Sequence, residues 1–193
     1  MFTEERLKIS IALSVVIVLC VFALLAFNNE NAISEGRLHV HKPIVFPEGT
    51  PDLEKHTLVF FGYVGCPTVC TPRLQEITEI YKDFVEKSQT DKLSVLFINL
   101  QSTMSTQEAD VYAKSFHPEF KGVTYEKQSL LTTLRMFQAY YSHSLLDSDE
   151  IEHTQFLYFV HKGTSDNYYL NNIYINTPYD KDTVVNDLIK DLE

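Results

Sequence analysis

Two cysteines, Cys66 and Cys70, stand between an apolar run at residues 57–62 and a segment of helical periodicity at residues 71–87. This arrangement places both thiols at a predicted strand-to-helix turn. A thiol at such a turn is expected to be partly exposed and to face the positive end of the helix dipole, which favours the thiolate form. Because thiolates attack disulfides and bind soft metal ions, the pair predicts either redox or metal chemistry.

A purely structural disulfide is the alternative for this pair. A bridge between Cys66 and Cys70 would close a very short loop, and short loops restrict the unfolded chain least. The spacing also places the two sulfurs about one helical turn apart on the same face. That geometry can chelate one ion as well as close a disulfide. The third cysteine, Cys20, lies in the apolar N-terminal segment and is predicted to pack there.

The third candidate ligand is His153, which directly precedes an aromatic strand-like segment at residues 156–161. The predicted topology brings this pre-strand loop beside the cysteine turn. Two thiolates and one imidazole suit copper, whereas zinc would need a fourth ligand. An ordinary surface or hydrogen-bonded histidine remains the alternative. Of the other histidines, only His39 and His41 form a pair that could bind a metal weakly, provided that their segment is extended.

Strands and helices alternate early in the chain, which predicts parallel strand pairing, whereas a late hairpin at residues 162–167 predicts antiparallel pairing. The predicted fold class is therefore α/β, with a thioredoxin-like mixed central sheet flanked by helices. Residues 37–51 are predicted as an irregular or edge-strand lead-in. The predicted strands are 57–62, 93–100, 123–126, 156–161 and 168–175, and the predicted helices are 71–87, 105–116, 129–141 and 180–192.

The N-terminal segment at residues 9–27 is uncharged and apolar apart from two serines, and its length suits one transmembrane helix. Arg6 and Lys8 precede it, so residues 1–8 are expected in the cytoplasm of a bacterium and the rest on the periplasmic side of the inner membrane. A cleaved signal peptide is the alternative, although no small-x-small cleavage site stands out. Residues 28–50 are predicted as linker and irregular lead-in, and residues 51–193 as the thioredoxin-like domain.

The chain is acidic, with 26 Asp and Glu residues against 16 Lys and Arg residues and a formal net charge of −10. This balance argues against a nucleic-acid partner, because phosphate backbones repel it. It fits docking to a basic partner, attraction of cations or ordinary solubility.

The sequence at residues 60–70, Phe-Phe-Gly-Tyr-Val-Gly-Cys-Pro-Thr-Val-Cys, together with Glu152-His153-Thr154, resembles the Sco/SenC family. Those proteins are membrane-anchored, thioredoxin-like copper proteins that serve assembly of the CuA centre of cytochrome c oxidase. The resemblance runs from about residue 57 to residue 192 and includes the anchor. It implies copper, as Cu(I) or Cu(II), bound by Cys66, Cys70 and His153. It also implies a client, either the oxidase subunit that carries CuA or another copper or thiol protein.

The chain departs from the family pattern around the motif. Thr68 stands where the family usually has Asp, and Thr71 stands where it usually has Pro. The acidic run that usually follows the second central strand is replaced here by residues 100–104, which include Gln101. The negative charges that these positions usually supply are thus missing, so the sequence resembles a divergent member of the family.

Two functions of different classes therefore stay open. In a copper metallochaperone, Cys66, Cys70 and His153 hold copper and pass it on by ligand exchange with client thiols. In a thiol–disulfide oxidoreductase, Cys66 attacks a client disulfide and Cys70 resolves the mixed disulfide. Only the second function would make the chain an enzyme. His153 distinguishes the two functions, because only the metallochaperone uses it as a ligand.

Overall fold

The computed structural model describes residues 2–34, 36–88, 92–143, 151–164 and 167–191. The chain divides into two compact units, Met1–Arg37 and Leu38–Glu193. The first unit contains one helix, α1 (Phe2–Ser34), which covers the predicted anchor at residues 9–27 and continues through residues predicted as linker. Side chains of α1 are described only at residues 4, 6, 8, 9 and 11–23. Within the described part of the chain, no helix is long and apolar enough to cross a membrane.

The second unit contains a six-stranded sheet in the order β1-β8-β7-β2-β3-β4. Strand β2 pairs in parallel with β3 and antiparallel with β7, while β3 pairs in parallel with β4 and β7 antiparallel with β8. The predicted mixed sheet is therefore confirmed. Its strands are β1 (Arg37–Ile44), β2 (His56–Gly62), β3 (Leu93–Asn99), β4 (Lys121–Thr124), β7 (Leu157–Lys162) and β8 (Tyr168–Tyr174).

Helices cover both faces of this sheet, as predicted. Helices α2 (Cys70–Ser88), α3 (Thr106–Lys114) and α5 (Lys181–Lys190) pack on one face, and α4 (Lys127–Phe137) packs on the other. Because side chains of a strand alternate between faces, Leu58 and Phe60 of β2 enter the first core and Val59 and Phe61 the second. Burial on both faces explains why β2 is a continuous apolar run.

The structure also differs from the predicted element map. The predicted edge strand in the lead-in is confirmed as β1, whereas β4 begins two residues before the predicted strand at 123–126. Strands β5 (Tyr141–His143) and β6 (Ile151–His153) form a separate two-stranded sheet that was not predicted. Helix α4 ends at Phe137, short of the predicted 141, because Gln138 adopts a left-handed conformation and the chain turns into β5. Predicted residues 165, 166 and 192 lie outside the described ranges.

Candidate metal centre

The cysteine turn is built from backbone hydrogen bonds between the end of β2 and the start of α2. Gly65 has a φ of 84°, a conformation that glycine adopts without strain, and it lets the chain reverse before Cys66. The Cys66 sulfur accepts a hydrogen bond from the Cys70 backbone N–H at 3.3 Å. The Cys66 carbonyl accepts from both the backbone N–H and the hydroxyl of Thr71, at 3.2 and 2.9 Å. Cys66 thus lies before α2 and caps its N-terminal end, whereas Cys70 is the first residue of the helix.

Asn99, which the sequence analysis did not single out, holds this turn against the neighbouring strand. Its side chain is fully buried at the end of β3. Its Oδ1 accepts a hydrogen bond from the Val64 N–H at 3.3 Å, and its Nδ2 donates to the Gln101 carbonyl and the Thr124 hydroxyl, both at 3.1 Å. A lone polar residue ending an apolar strand was the available sequence signal, since a buried amide must find partners.

His153 lies where the sequence predicted it, next to the cysteine turn. Its Nε2 is 3.5 Å from the Cys70 sulfur, and its Nδ1 is 2.9 Å from the Thr154 carbonyl oxygen. A carbonyl only accepts, so Nδ1 carries the proton and the Nε2 lone pair faces the sulfur. The residue belongs to the short strand β6 rather than to the predicted loop, and pairing with Tyr141 fixes its backbone.

Burial and two aromatic rings shape the environment of the imidazole. The rings of Phe60 and Tyr63 approach His153 edge-on, with centroids at 6.2 and 6.1 Å and interplanar angles of 75° and 87°. Burial lowers the pKa of His153, and the hydrogen bond to the Thr154 backbone offsets only part of this effect. The ring is therefore held in the neutral form that coordinates metals.

The predicted partial exposure of the thiols is wrong. Cys66 is 1% exposed and Cys70 is fully buried. The physical reason is that Tyr63, Val64 and Val69 of the turn pack against the core that contains both cysteines.

The two thiols differ in acidity. Burial raises the pKa of the Cys66 thiol, but hydrogen bonds from the Cys70 backbone, the Tyr63 hydroxyl and the Val69 backbone outweigh it and bring the pKa below its usual 9.0. Burial raises the pKa of Cys70 far above the usual range. The predicted shift toward thiolate therefore holds for Cys66 and not for Cys70.

A cavity of about 260 Å³ leads to this site. Cys66 and His153 line it, as does Thr68, the threonine at the position where family members usually carry Asp. The acidic side chain in the lining is that of Glu152, which is exposed. The remaining lining residues are Tyr63, Val69, Tyr140, Ile151 and Gln155. The cavity gives a ligand or a client group a route to one thiol and to the imidazole.

A mixed sheet with a cysteine pair at a strand-to-helix turn, and an imidazole beside one sulfur, defines a thioredoxin-like protein with a soft metal-binding donor set. The SCO1/SenC family model matches residues 52–188. The chain belongs to the SCO1/SenC family.

Individual relatives agree with this assignment. The human protein described as "Protein SCO1 homolog, mitochondrial" is 27% identical over 149 residues, which are 68% of this chain and 49% of the human protein. The chain thus spans about half the length of that relative.

Solved structures share the fold. The structure of Arabidopsis thaliana ScoI with copper bound matches with a TM-score of 0.62 and 20% identity, covering 80% of this chain and 97% of that one. A second similar structure is that of BsSco, described as a member of the Sco family of cytochrome c oxidase assembly proteins with a disulfide switch. It matches with a TM-score of 0.55 and 15% identity, covering 79% of this chain and 94% of that one.

Proposed function

We propose that this chain is a copper metallochaperone that delivers copper to cytochrome c oxidase or matures its CuA site. The observation that carries the proposal is that the His153 Nε2 lies 3.5 Å from the Cys70 sulfur and that His153 lines one cavity together with Cys66. Two sulfurs and one neutral nitrogen suit Cu(I), which tolerates low coordination, and a vacant coordination position would also accept Cu(II) with a further ligand. The copper-bound structure of the similar Arabidopsis protein supports copper as the cargo.

Loading begins in this proposal at Cys66, because it is the more acidic thiol and lines the cavity. Cys70 loses its proton only when the metal arrives, since metal binding to thiols releases protons. His153 needs no proton transfer because its Nε2 already holds a free lone pair. Transfer to a client then proceeds by exchange of these ligands for client thiols through the cavity.

The proposal also includes a cellular location. Residues 9–27 anchor the chain in the bacterial inner membrane as a single span, with the thioredoxin-like domain on the periplasmic side. The apolar pattern of the segment and the preceding Arg6 and Lys8 support this placement. The net charge of −10 favours a basic docking face on the oxidase subunit that carries CuA, or on another copper or thiol client.

A second candidate function is thiol–disulfide exchange, favoured by the opposite shifts of the two thiol pKa values. The Cys66 thiolate would attack a client disulfide, form a mixed disulfide and release the first client sulfur as a thiolate. Cys70 would then lose its proton and attack the Cys66 sulfur, releasing the second client sulfur. The client is reduced by two electrons and the Cys66–Cys70 pair is oxidised.

Anaerobic Cu(I) titration of the reduced full-length protein in detergent, with X-ray absorption to count ligands, tests the first function. The expected ligand set is two sulfurs and one nitrogen. His153→Ala should lower Cu(I) affinity at least about 100-fold, since even partners that only orient a ligand are worth 10–100-fold. The dithiol should still react with a disulfide reagent. His117→Gln is the matched control. His117 packs against Tyr81 and is distant in the sequence from the cysteines and from His153.

Unchanged Cu(I) affinity in His153→Ala would show that the three-ligand site is wrong. The second function is tested by turnover of a protein disulfide without metal, in the parent and in Cys66→Ser. Turnover that requires Cys66 supports the oxidoreductase, and no turnover in the parent rejects it.

A further inference from the structure

A second cluster of metal-binding side chains lies at the opposite end of β2 from the cysteines. His56 opens β2, His161 is its cross-strand partner on β7, and Asp191 caps the C-terminus of α5. One ligand atom from each of the three lies within 4.8 Å of the other two. The seven residues of β2 separate this cluster from the cysteine turn by roughly 20 Å, at about 3.3 Å per residue.

The three side chains already converge on one oxygen atom. The His56 Nε2 is 2.9 Å from the Asp191 Oδ2, and the His161 Nδ1 contacts the same Oδ2. His56 is 1% exposed, and Asp191 is 24% exposed, so solvent reaches the cluster from the carboxylate side. Two imidazole N–H groups thus share one carboxylate oxygen.

The other carboxylate oxygen is fixed by a neighbouring side chain. The Asn171 Nδ2 donates a hydrogen bond to the Asp191 Oδ1 at 3.1 Å. The same amide contacts the His41 Nδ1 through its Oδ1 at 3.2 Å. The hydrogen bond from Asn171 to Oδ1 orients the carboxylate so that Oδ2 points at the two histidines. Metal sites commonly orient their ligands through such neighbouring hydrogen bonds.

We propose that His56, His161 and Asp191 form a second metal site that binds a borderline divalent ion, Zn²⁺ or Cu²⁺. Two imidazole nitrogens and one carboxylate oxygen are donors that both ions take, whereas Ca²⁺ and Mg²⁺ prefer oxygen ligands only. The site contains no thiolate, so it differs in kind from the cysteine site, which suits Cu(I). Each neutral imidazole would move its proton to the other ring nitrogen to free the coordinating one.

A cavity of about 400 Å³ opens beside Asp191 of this cluster, and neither His56 nor His161 lines it. Asp191 and Asn171 line it, and so do His39 and His41 of β1. The sequence left open weak metal binding by the His39–His41 pair if its segment were extended. In the structure their Nδ1 atoms instead contact the side-chain oxygens of Asn172 and Asn171, at 2.7 and 3.2 Å. His39 and His41 therefore form part of the cavity wall and do not belong to the proposed ligand set.

The alternative is a metal-free clamp in which Asp191 only fastens the end of α5 to β2 and β7. The two possibilities differ in what they predict for added metal, because a clamp without a coordination role gains no stability from Zn²⁺. Binding to the folded state alone would raise the unfolding midpoint in proportion to the logarithm of free ion concentration.

The test uses the full-length protein carrying Cys66→Ser and Cys70→Ser, so that the thiol site takes no part. Zn²⁺ and Cu²⁺ are titrated separately by equilibrium dialysis, and Cu²⁺ is also examined by electron paramagnetic resonance. The expected result is one ion per chain, with coupling to two nitrogens in the Cu²⁺ spectrum.

In that background, His161→Gln and Asp191→Asn should each weaken binding at least about 100-fold, since these side chains are direct ligands. Circular dichroism confirms that each variant is folded, and agreement between two chemically different variants separates ligand loss from unfolding. His117→Gln is the matched control and should bind as the parent does.

Two outcomes would overturn the proposal. The first is no saturable binding of either ion below about 100 µM, an affinity of about 5.5 kcal/mol. The second is loss of binding in a His39→Gln, His41→Gln variant but not in His161→Gln, which would move the ligands to β1. Neither outcome bears on Cu(I) binding by Cys66, Cys70 and His153, so the two proposals succeed or fail independently.

Discussion

The two ends of β2 carry different chemistry on one strand. Beyond Gly62, the Cys70 sulfur meets one imidazole beside Cys66, in a largely apolar setting of aromatic rings. At His56, two imidazoles meet one carboxylate that is partly open to solvent. The first set of donors is soft and the second is borderline. The two sets differ because α2 and β6 lie beside one end of β2, whereas β7 and α5 supply the other ligands at the opposite end.

The difference also shows how burial acts on ionisable groups. At Cys70, desolvation dominates and raises the thiol pKa, because the charged form gains few partners there. At Asp191, burial again raises the carboxyl pKa, but hydrogen bonds and charge from His56 and His161 outweigh it and the pKa is lowered. At one end of β2, Cys70 therefore keeps its proton, while at the other end Asp191 carries a charge that its hydrogen-bond partners stabilise.

Removal of the carboxylate at the His56 end is expected to have the largest effect on stability. Asp191→Ala leaves His56, His161 and Asn171 without a shared acceptor, which should lower the free energy of unfolding by about 2–3 kcal/mol. Urea unfolding followed by circular dichroism measures the loss. Cu(I) affinity should stay unchanged, and Asp182→Ala, at an exposed acid in the same helix, is the control. A loss of Cu(I) affinity in Asp191→Ala would show that the two ends are coupled.

The stability supplied by Asp191 should depend on pH. Its folded-state pKa lies below 3.8, so the contribution is present above pH 3.8 and is lost as pH falls through the lower folded pKa. The difference in unfolding free energy between the parent and Asp191→Asn should therefore shrink below pH 3.8. A difference that stays constant there would contradict a depressed pKa.

At the other end, Gly62→Ala should disturb the metal site directly. A Cβ atom there would lie 2.8 Å from the Cys70 sulfur and 3.0 Å from the Phe97 ring. Overpacking of this kind costs about 1–3 kcal/mol, and the sulfur must move, so Cu(I) affinity should fall at least about tenfold. Gly163→Ala is the matched control at the His161 end, where the nearest atom would be 3.3 Å away on the Tyr169 ring. Equal Cu(I) affinities of the two variants would argue against a tightly packed sulfur.

The two thiols should react at different rates. In single-cysteine variants, Cys66 (in Cys70→Ser) should be alkylated at least about tenfold faster near pH 8 than Cys70 (in Cys66→Ser), because only Cys66 has a pKa below its usual value. The Cys66 rate should reach half of its maximum below pH 9.0, while the Cys70 rate should still rise above that pH. Mass spectrometry of quenched samples measures both rates, and faster alkylation of Cys70 would contradict the assignment.

The smallest expected effect comes from the Tyr63 hydroxyl. Tyr63→Phe removes one hydrogen bond to the Cys66 sulfur, so the pKa of Cys66 should rise and its alkylation near pH 8 should slow by a few-fold, or about 1 kcal/mol. Tyr140→Phe, in the lining of the same cavity, is the control. No change in Tyr63→Phe would assign the low pKa to the backbone hydrogen bonds alone.

Local patterns in the sequence predicted most of the elements correctly. Apolar residues at helical spacing in α2 predict an inward face of Leu74, Ile77, Ile80, Tyr81 and Phe84. Four of them are buried, and Tyr81 is half-buried against the same core. A serine followed by Glu three residues later is the sequence signature of a capping box, and Ser105 and Glu108 form one at the start of α3. The short strands β5 and β6 escaped prediction because three-residue strands carry too little periodicity and are stabilised by pairing with each other.

The sequence by itself determined the donor types, their order along the chain and the strand-to-helix turn that presents the cysteines, because these depend on local composition and spacing. Only the tertiary structure decided the acidity of each thiol, since that depends on burial and on Tyr63 and Val69 around it. It also brought together His56, His161 and Asp191, which are separated by as many as 135 positions and meet because β2, β7 and α5 pack side by side. Long-range packing leaves no local pattern in the sequence.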